Sequence, residues 1–177
     1  MVSLKIPVAL KVPVASLTRA AFAPFGDVIE TEGSAHYTIN QGHAERYQDL
    51  ARIDVLEHGG KPLVSIFRAT PWASPVRITS MERHPLSSQA FVPLTTTPFL
   101  VVVAAPTDTL RPEQLRAFVT NGRQGVNYAR NVWHHALLAL ERQSDFLIVD
   151  RGGTEPNCDE VFFEQDEIVL DFPAGNG

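Results

Sequence analysis

Polar and apolar residues alternate along Leu63–Arg68. They alternate again along Val76–Met81, where Val76 and Ile78 fall on one side and Arg77 and Thr79 on the other. A period of two predicts strands with one face buried, and Phe67 is expected in the core. Gln89–Leu94, Phe99–Ala104, Ala136–Leu140, Asp145–Asp150 and Glu167–Asp171 are further runs of strand length. Gly59-Gly60, Ser74-Pro75, Thr97-Pro98 and Gly152-Gly153 mark breaks in the pattern. Only two stretches carry helix signals. Ser16–Phe22 opens on a serine suited to an N-cap and ends near Gly26. Pro112–Val119 opens on a proline with Glu113 just inside it and stops at Asn121-Gly122. Many short strands with two or more short helices predict a mainly β domain, an antiparallel sandwich or barrel.

Composition narrows the class without naming an activity. The chain has 177 residues, of which 44% are apolar and 20% charged. These values suit one folded domain spanning residues 1–177, with 1–12 and 172–177 as loose ends or contact arms. Fifteen Lys and Arg against 20 Asp and Glu give a net charge of −5. Without a basic cluster, nucleic acid is not an expected partner. Pro7 and Pro13 interrupt the opening segment, so no signal peptide is expected. The longest apolar run, Phe99–Ala105, is far shorter than the ~20 residues a membrane helix needs. Cys158 has no second cysteine to pair with. A soluble, cytoplasmic protein is expected.

Four polar segments could carry chemistry. In Glu82–Gln89, Glu82 and His84 lie two apart and so share a face if the strand continues through them. Imidazole beside carboxylate suits acid–base work or metal ligation, and a solvated polar turn would look the same locally. Gly125–His135 ends in adjacent histidines, which a strand sends to opposite faces, so Trp133 and His135 face together away from His134. Thr38–His43, followed by Arg46 and Asp49, reads as a turn at Asn40 and Gly42. Its backbone amides could meet an anion, or it is a plain surface turn. In Ser65–Arg68, Arg68 shares a face with Ile66, which calls for an anionic partner: a bound carboxylate or a buried pair. Cys158 lies among acids that disfavour a thiolate. Walker, CxxC and GxSxG patterns are absent.

Three longer strings, ERHPLSSQAFVPL (82–94), GVNYARNVWHHALLAL (125–140) and DFLIVDRGGTEPNCDE (145–160), resemble the ureidoglycolate lyase family. FAPFGDVIE (22–30), INQGHAERYQDLA (39–51) and VSIFRATP (64–71) are similar to it as well, so the resemblance spans roughly residues 16–163. It implies a cupin-like β-barrel or jelly roll, usually a homodimer. The implied activity is cleavage of (S)-ureidoglycolate to glyoxylate and urea in allantoin and purine degradation. The first metal motif of cupins has the form HxHx4E, with a single later histidine. Glu82, His84 and Gln89 stand at the first-motif spacings and His134 at the later one, two of these positions being altered. The cofactor expectation is therefore open: none, or a divalent metal on Glu82, His84, Gln89 and His134. Within the family pattern Asn131 often stands as Gly and Ala136 as Pro. The implied catalytic residues are Glu82, His84 and His134, with His84 as base. Arg68 or Arg83 is the expected clamp for the substrate carboxylate, and Asn40, Gln89 and Tyr128 complete the expected substrate contacts. Two other readings stay open on sequence: a cupin-like protein that binds a small carboxylate, and a metal-dependent cupin enzyme of another reaction.

Overall fold

The structure is a computed structural model and describes residues 9–164 and 167–172. In chain order the strands are β1 (Leu10–Ser16), β2 (Gly26–Ile29), β3 (His36–Ile39), β4 (Ala44–Tyr47), β5 (Lys61–Ala69), β6 (Ser80–Arg83), β7 (Gln89–Pro93), β8 (Phe99–Ala104), β9 (Arg116–Val119), β10 (Gly125–Tyr128), β11 (Trp133–His134), β12 (Leu138–Ala139), β13 (Ser144–Gly152), β14 (Asp159–Phe162) and β15 (Ile168–Asp171). The larger sheet runs β14-β6-β11-β8-β9-β1-β15, with β12 also on β8. The smaller runs β2-β10-β7-β13-β5, and β3-β4 is a separate hairpin. This is the mainly β architecture expected. Most pairings are antiparallel, but β1 runs parallel to both of its neighbours, β9 and β15. No helix among the described residues is long and apolar enough to cross a membrane.

The apolar run 99–104 is continuous because its strand is covered on both faces. Phe99, Val101 and Val103 join Phe91, Tyr128, Phe146 and Ile148 between the two sheets. Leu100, Val102 and Ala104 join Ile78, Met81, Trp133 and Ile168 on the opposite face of the larger sheet. A strand buried on both faces loses its polar alternation and reads as an unbroken apolar string. The smaller sheet closes tightly at Gly26. There a φ of 141° and the adjoining Asn127 carbonyl leave no room for a Cβ, and Gly26 lies in register with Tyr128.

Several local expectations are corrected. Pro112–Gln114 is a single 3-10 turn, and the chain then becomes β9 because Ala117 and Phe118 pair with β8 and bury their side chains. The helix near residue 20 is the short Arg19–Phe22, capped by Thr18 rather than Ser16. The Thr18 hydroxyl accepts from the Ala21 amide, while Ser16 ends β1. Leu10–Val12 are no loose arm but part of β1, held against β15. Residues 1–8 and 173–177 lie outside the described residues, and Phe172 packs on the core. Val76–Thr79 carry only an isolated bridge from Arg77 to Val169, and the regular strand starts at Ser80. Within 136–140, only Leu138 and Ala139 are strand. Phe67 touches Phe91 edge-on at 6.1 Å but is 41% exposed, because β5 is an edge strand with β13 on one side only.

Candidate active site

Glu82 on β6 lies directly opposite His134 on β11. The row continues to Val103 on one side and Glu160 on the other. Residues opposed in an antiparallel ladder share a face. One line of side chains therefore runs from the interior between the sheets, through buried His134 and half-buried Glu82, to exposed Glu160. His84, two residues past Glu82, returns to the same face. Its Nε2 lies 3.9 Å from Glu82 Oε1, and His134 Nε2 lies 3.3 Å from the same oxygen. The two imidazole centroids are 5.0 Å apart. Gln89, first on β7, places its amide oxygen 3.1 Å from His84 Nε2. Tyr128, last on β10, stacks on His134 at 4.3 Å and 12°.

Backbone carbonyls fix both tautomers. His84 Nδ1 is 2.7 Å from the Asn157 carbonyl, and His134 Nδ1 is 3.1 Å from that of Val132. A backbone carbonyl can only accept, so each Nδ1 carries the proton; a neutral His134 then turns its Nε2 lone pair toward Glu82, and at His84 the Gln89 amide can rotate to present its NH₂ to an Nε2 lone pair. Burial pushes the His134 pKa below its ordinary value against the smaller opposing pull of Glu82. At neutral pH an uncharged imidazole thus faces an ionised carboxylate. His134 Nε2 is buried and without a hydrogen-bond partner, since the 3.3 Å approach to Glu82 sets one acceptor against another.

That orphaned lone pair tests the fit of a cation. Glu82, His84 and His134 offer ligand atoms within 4.8 Å of one another. Two imidazoles and a carboxylate suit a first-row divalent metal, and an Nδ1–H held by a carbonyl is the usual outer support for a histidine ligand. The Gln89 amide oxygen could add a fourth donor. The residues present fit such an ion.

The other expected contacts lie elsewhere. Arg83 follows Glu82 and therefore points to the opposite face. Its Nε donates to Asp159 at 2.9 Å, its Nη1 donates to the Thr107 carbonyl at 3.0 Å, and the guanidinium covers Trp133. Arg68 has its anionic partner in Asp145, directly across on β13, with two bonds of 2.8 and 2.9 Å on an exposed edge. Asn40 begins the exposed turn between β3 and β4 with φ 53°, apart from both sheets. The cluster is thus Glu82, His84, His134, Gln89 and Tyr128, without Arg68, Arg83 or Asn40. Trp133 and His135 face away from His134 as the alternation requires: Trp133 joins the outer core and His135 meets Trp72. Cys158 Sγ lies 3.9 Å from Glu82 Oε2, and burial with the surrounding acids pushes its thiol pKa up. Sequence reasoning missed Asn157, which touches the His84 turn three times. The available signal was an asparagine placed after Pro156 in a turn.

The family model for ureidoglycolate lyase matches residues 9–170. The chain belongs to the ureidoglycolate lyase family. A Burkholderia cepacia ureidoglycolate lyase is 61% identical over 148 residues, covering 84% of each chain. An Azotobacter vinelandii ureidoglycolate lyase is 56% identical over 87% of this chain and 93% of its own. A third, from Pseudomonas paraeruginosa, is 54% identical over 90% of this chain and 95% of its own. Asn131 has φ 64°, and its amide donates to the His84 carbonyl at 3.1 Å, so the turn needs a left-handed residue to hold both histidine segments together.

Proposed function

We propose that this protein is a ureidoglycolate lyase that splits (S)-ureidoglycolate into glyoxylate and urea. The observation that carries the reading is the convergence of Glu82 and two imidazole lone pairs at one end of the barrel interior, in a chain of this family. The substrate is a carbinolamine beside a carboxylate. Removing the hydroxyl proton lets its oxygen form the glyoxylate carbonyl as the carbon–nitrogen bond breaks. The bonding electrons leave with the urea nitrogen, which takes a proton, and no water is consumed. His84 Nε2 is the base, because its tautomer presents a lone pair and its side chain is partly open to solvent. Glu82 steadies the imidazolium that results, and Gln89 and Tyr128 line the substrate. Transfer of that proton from His84 to the departing nitrogen closes the cycle.

Purified protein should release glyoxylate from (S)-ureidoglycolate above the spontaneous rate in a coupled assay. Release only at the spontaneous rate would overturn the assignment. His84→Gln should cost about 10²–10⁴-fold in kcat, and unchanged turnover would remove His84 as base.

The orphaned His134 Nε2 favours a second reading, in which Glu82, His84, His134 and Gln89 hold a divalent ion. Such an ion would supply positive charge and Lewis acidity at the substrate oxygens. Metal content after purification and loss of activity on chelation distinguish this reading from the metal-free one. A cytoplasmic homodimer belongs to the same proposal, and the exposed, one-sided edge of β5 gives a second copy a surface to pair with.

A further inference from the structure

We propose that Asn157 is the positioning residue for His84. It sets which ring nitrogen bears the proton and where the free lone pair points. This deepens the lyase reading of the same site, whichever of base or metal ligand the lone pair serves.

Asn157 lies between β13 and β14, on a chain that otherwise only passes beside the site. It makes three short contacts to one turn. Its carbonyl accepts from His84 Nδ1 at 2.7 Å. Its side-chain Oδ1 accepts from the Leu86 amide at 2.7 Å, and its Nδ2 donates to Ser87 Oγ at 2.8 Å. The first contact chooses the tautomer. The other two lock the backbone of the turn that carries His84 to the residue supplying that carbonyl, so the 2.7 Å distance is set by the same side chain. The preceding Pro156 has its φ fixed by its ring, which limits how far the carbonyl can drift.

The turn is held from the other directions too. The His84 carbonyl accepts from Asn131, while Ser88 and Asp54 exchange two bonds of 2.8 Å. These contacts fix where the backbone goes but leave the ring free to rotate about its own side-chain torsions. The ring itself is held at Nδ1 by the Asn157 carbonyl at 2.7 Å and at Nε2 by the Gln89 amide at 3.1 Å, and of the two only the backbone carbonyl cannot turn to become a donor. Without it, the imidazole is free to interconvert its tautomers. A ring protonated at Nε2 would aim an N–H, not a lone pair, at Glu82 and the substrate. Supporting groups that orient a working histidine typically account for 10–100-fold in activity or metal affinity.

The test is tautomer assignment by two-bond proton–nitrogen correlation spectra of the chelator-treated full-length protein, labelled with ¹⁵N at histidine. Wild type is expected to show His84 protonated at Nδ1 alone. Asn157→Ala is expected to show a mixture, with kcat reduced about 10–100-fold and a smaller change in KM. Asn157→Asp keeps an acceptor for Leu86, and the Ser87 hydroxyl can turn to donate, so it should restore the single tautomer and most of the kcat. Because the spectra need no substrate, the tautomer result stands or falls separately from the lyase assignment. A wild-type His84 protonated at Nε2 would overturn the proposal. So would an Asn157→Ala spectrum unchanged from wild type, whether or not the variant loses thermal stability or activity. If the alanine variant does not fold, Ser87→Ala supplies the same comparison. It breaks one of the two side-chain ties and is expected to give a smaller admixture of the second tautomer, and its absence would likewise overturn the proposal.

Discussion

Replacing Glu82 by glutamine should stabilise the protein while destroying its activity. In the native site, His134 Nε2 is a buried acceptor facing the Glu82 carboxylate at 3.3 Å with no proton between them. A buried polar atom left unpaired costs about 1–3 kcal/mol, and a neutral hydrogen bond contributes about 1 kcal/mol. Glutamine has nearly the shape of glutamate and can turn its NH₂ toward the imidazole, converting the mismatch into a bond. It also removes the desolvation cost of a half-buried charge. Allowing for imperfect geometry, the expected gain is about 1 kcal/mol, or about 2–4 °C in Tm for a domain of this size. Activity should fall by about 100-fold or more, since the imidazolium or cation loses its carboxylate. The assay is thermal unfolding of both proteins in chelator near pH 7.5, followed by circular dichroism, with glyoxylate release measured on the same samples. The opposite sign has a definite meaning. If His134 were protonated in the resting protein, Glu82→Gln would strand a buried cation and cost about 3–5 kcal/mol. A lower or unchanged Tm would refute the neutral imidazole facing an ionised carboxylate.

Two further outcomes follow from the same geometry. Burial holds the His134 pKa below its ordinary 6.5, so on acidification the unfolded chain takes up a proton that the native protein refuses. Stability should fall as pH drops through that ordinary value, with a slope approaching about 1.4 kcal/mol per pH unit for one proton. Chelated His134→Gln should melt with a flatter pH dependence, and an unaltered slope would exclude His134 as its source. Arg68→Ala breaks only an exposed pair with Asp145. Stability should shift by less than about 1 kcal/mol with kcat and KM unchanged, and a large rise in KM would return Arg68 to the substrate site.

The site was legible where strand periodicity alone decides the outcome. Glu82 and His84 two apart, and His134 opposed to Trp133 and His135, needed only the rule that neighbours on a strand face opposite ways. That same rule places Arg83 on the face away from Glu82, so the expected carboxylate clamp conflicted with the alternation that put Glu82 in the site. Phe67 and Arg68 misled for another reason. Alternation reveals that a strand has two unlike faces, but not that the strand lies at a sheet edge where nothing covers it. At 116–119 the helix start signals were genuine for one turn. The pairing of Ala117 and Phe118 with β8 then took over, a tertiary contact that no local propensity records. Asn157 was invisible because its work lies in contacts to residues about seventy positions away.

The parallel placement of β1 between β9 and β15 also bears on how the chain acquires its structure. Leu10 is among the first described residues to leave the ribosome, and its partner Ile168 among the last. β1 can dock on β9 once Val119 has emerged, but its other edge must wait for β15. Closing so long a loop carries an entropic cost that grows only as the logarithm of its length, and it makes completion slow rather than unfavourable. During synthesis the nascent domain therefore holds its histidine cluster on a sheet with one open border. A ribosome-stalled chain ending before Ile168 would be an assembled site in an unsealed fold.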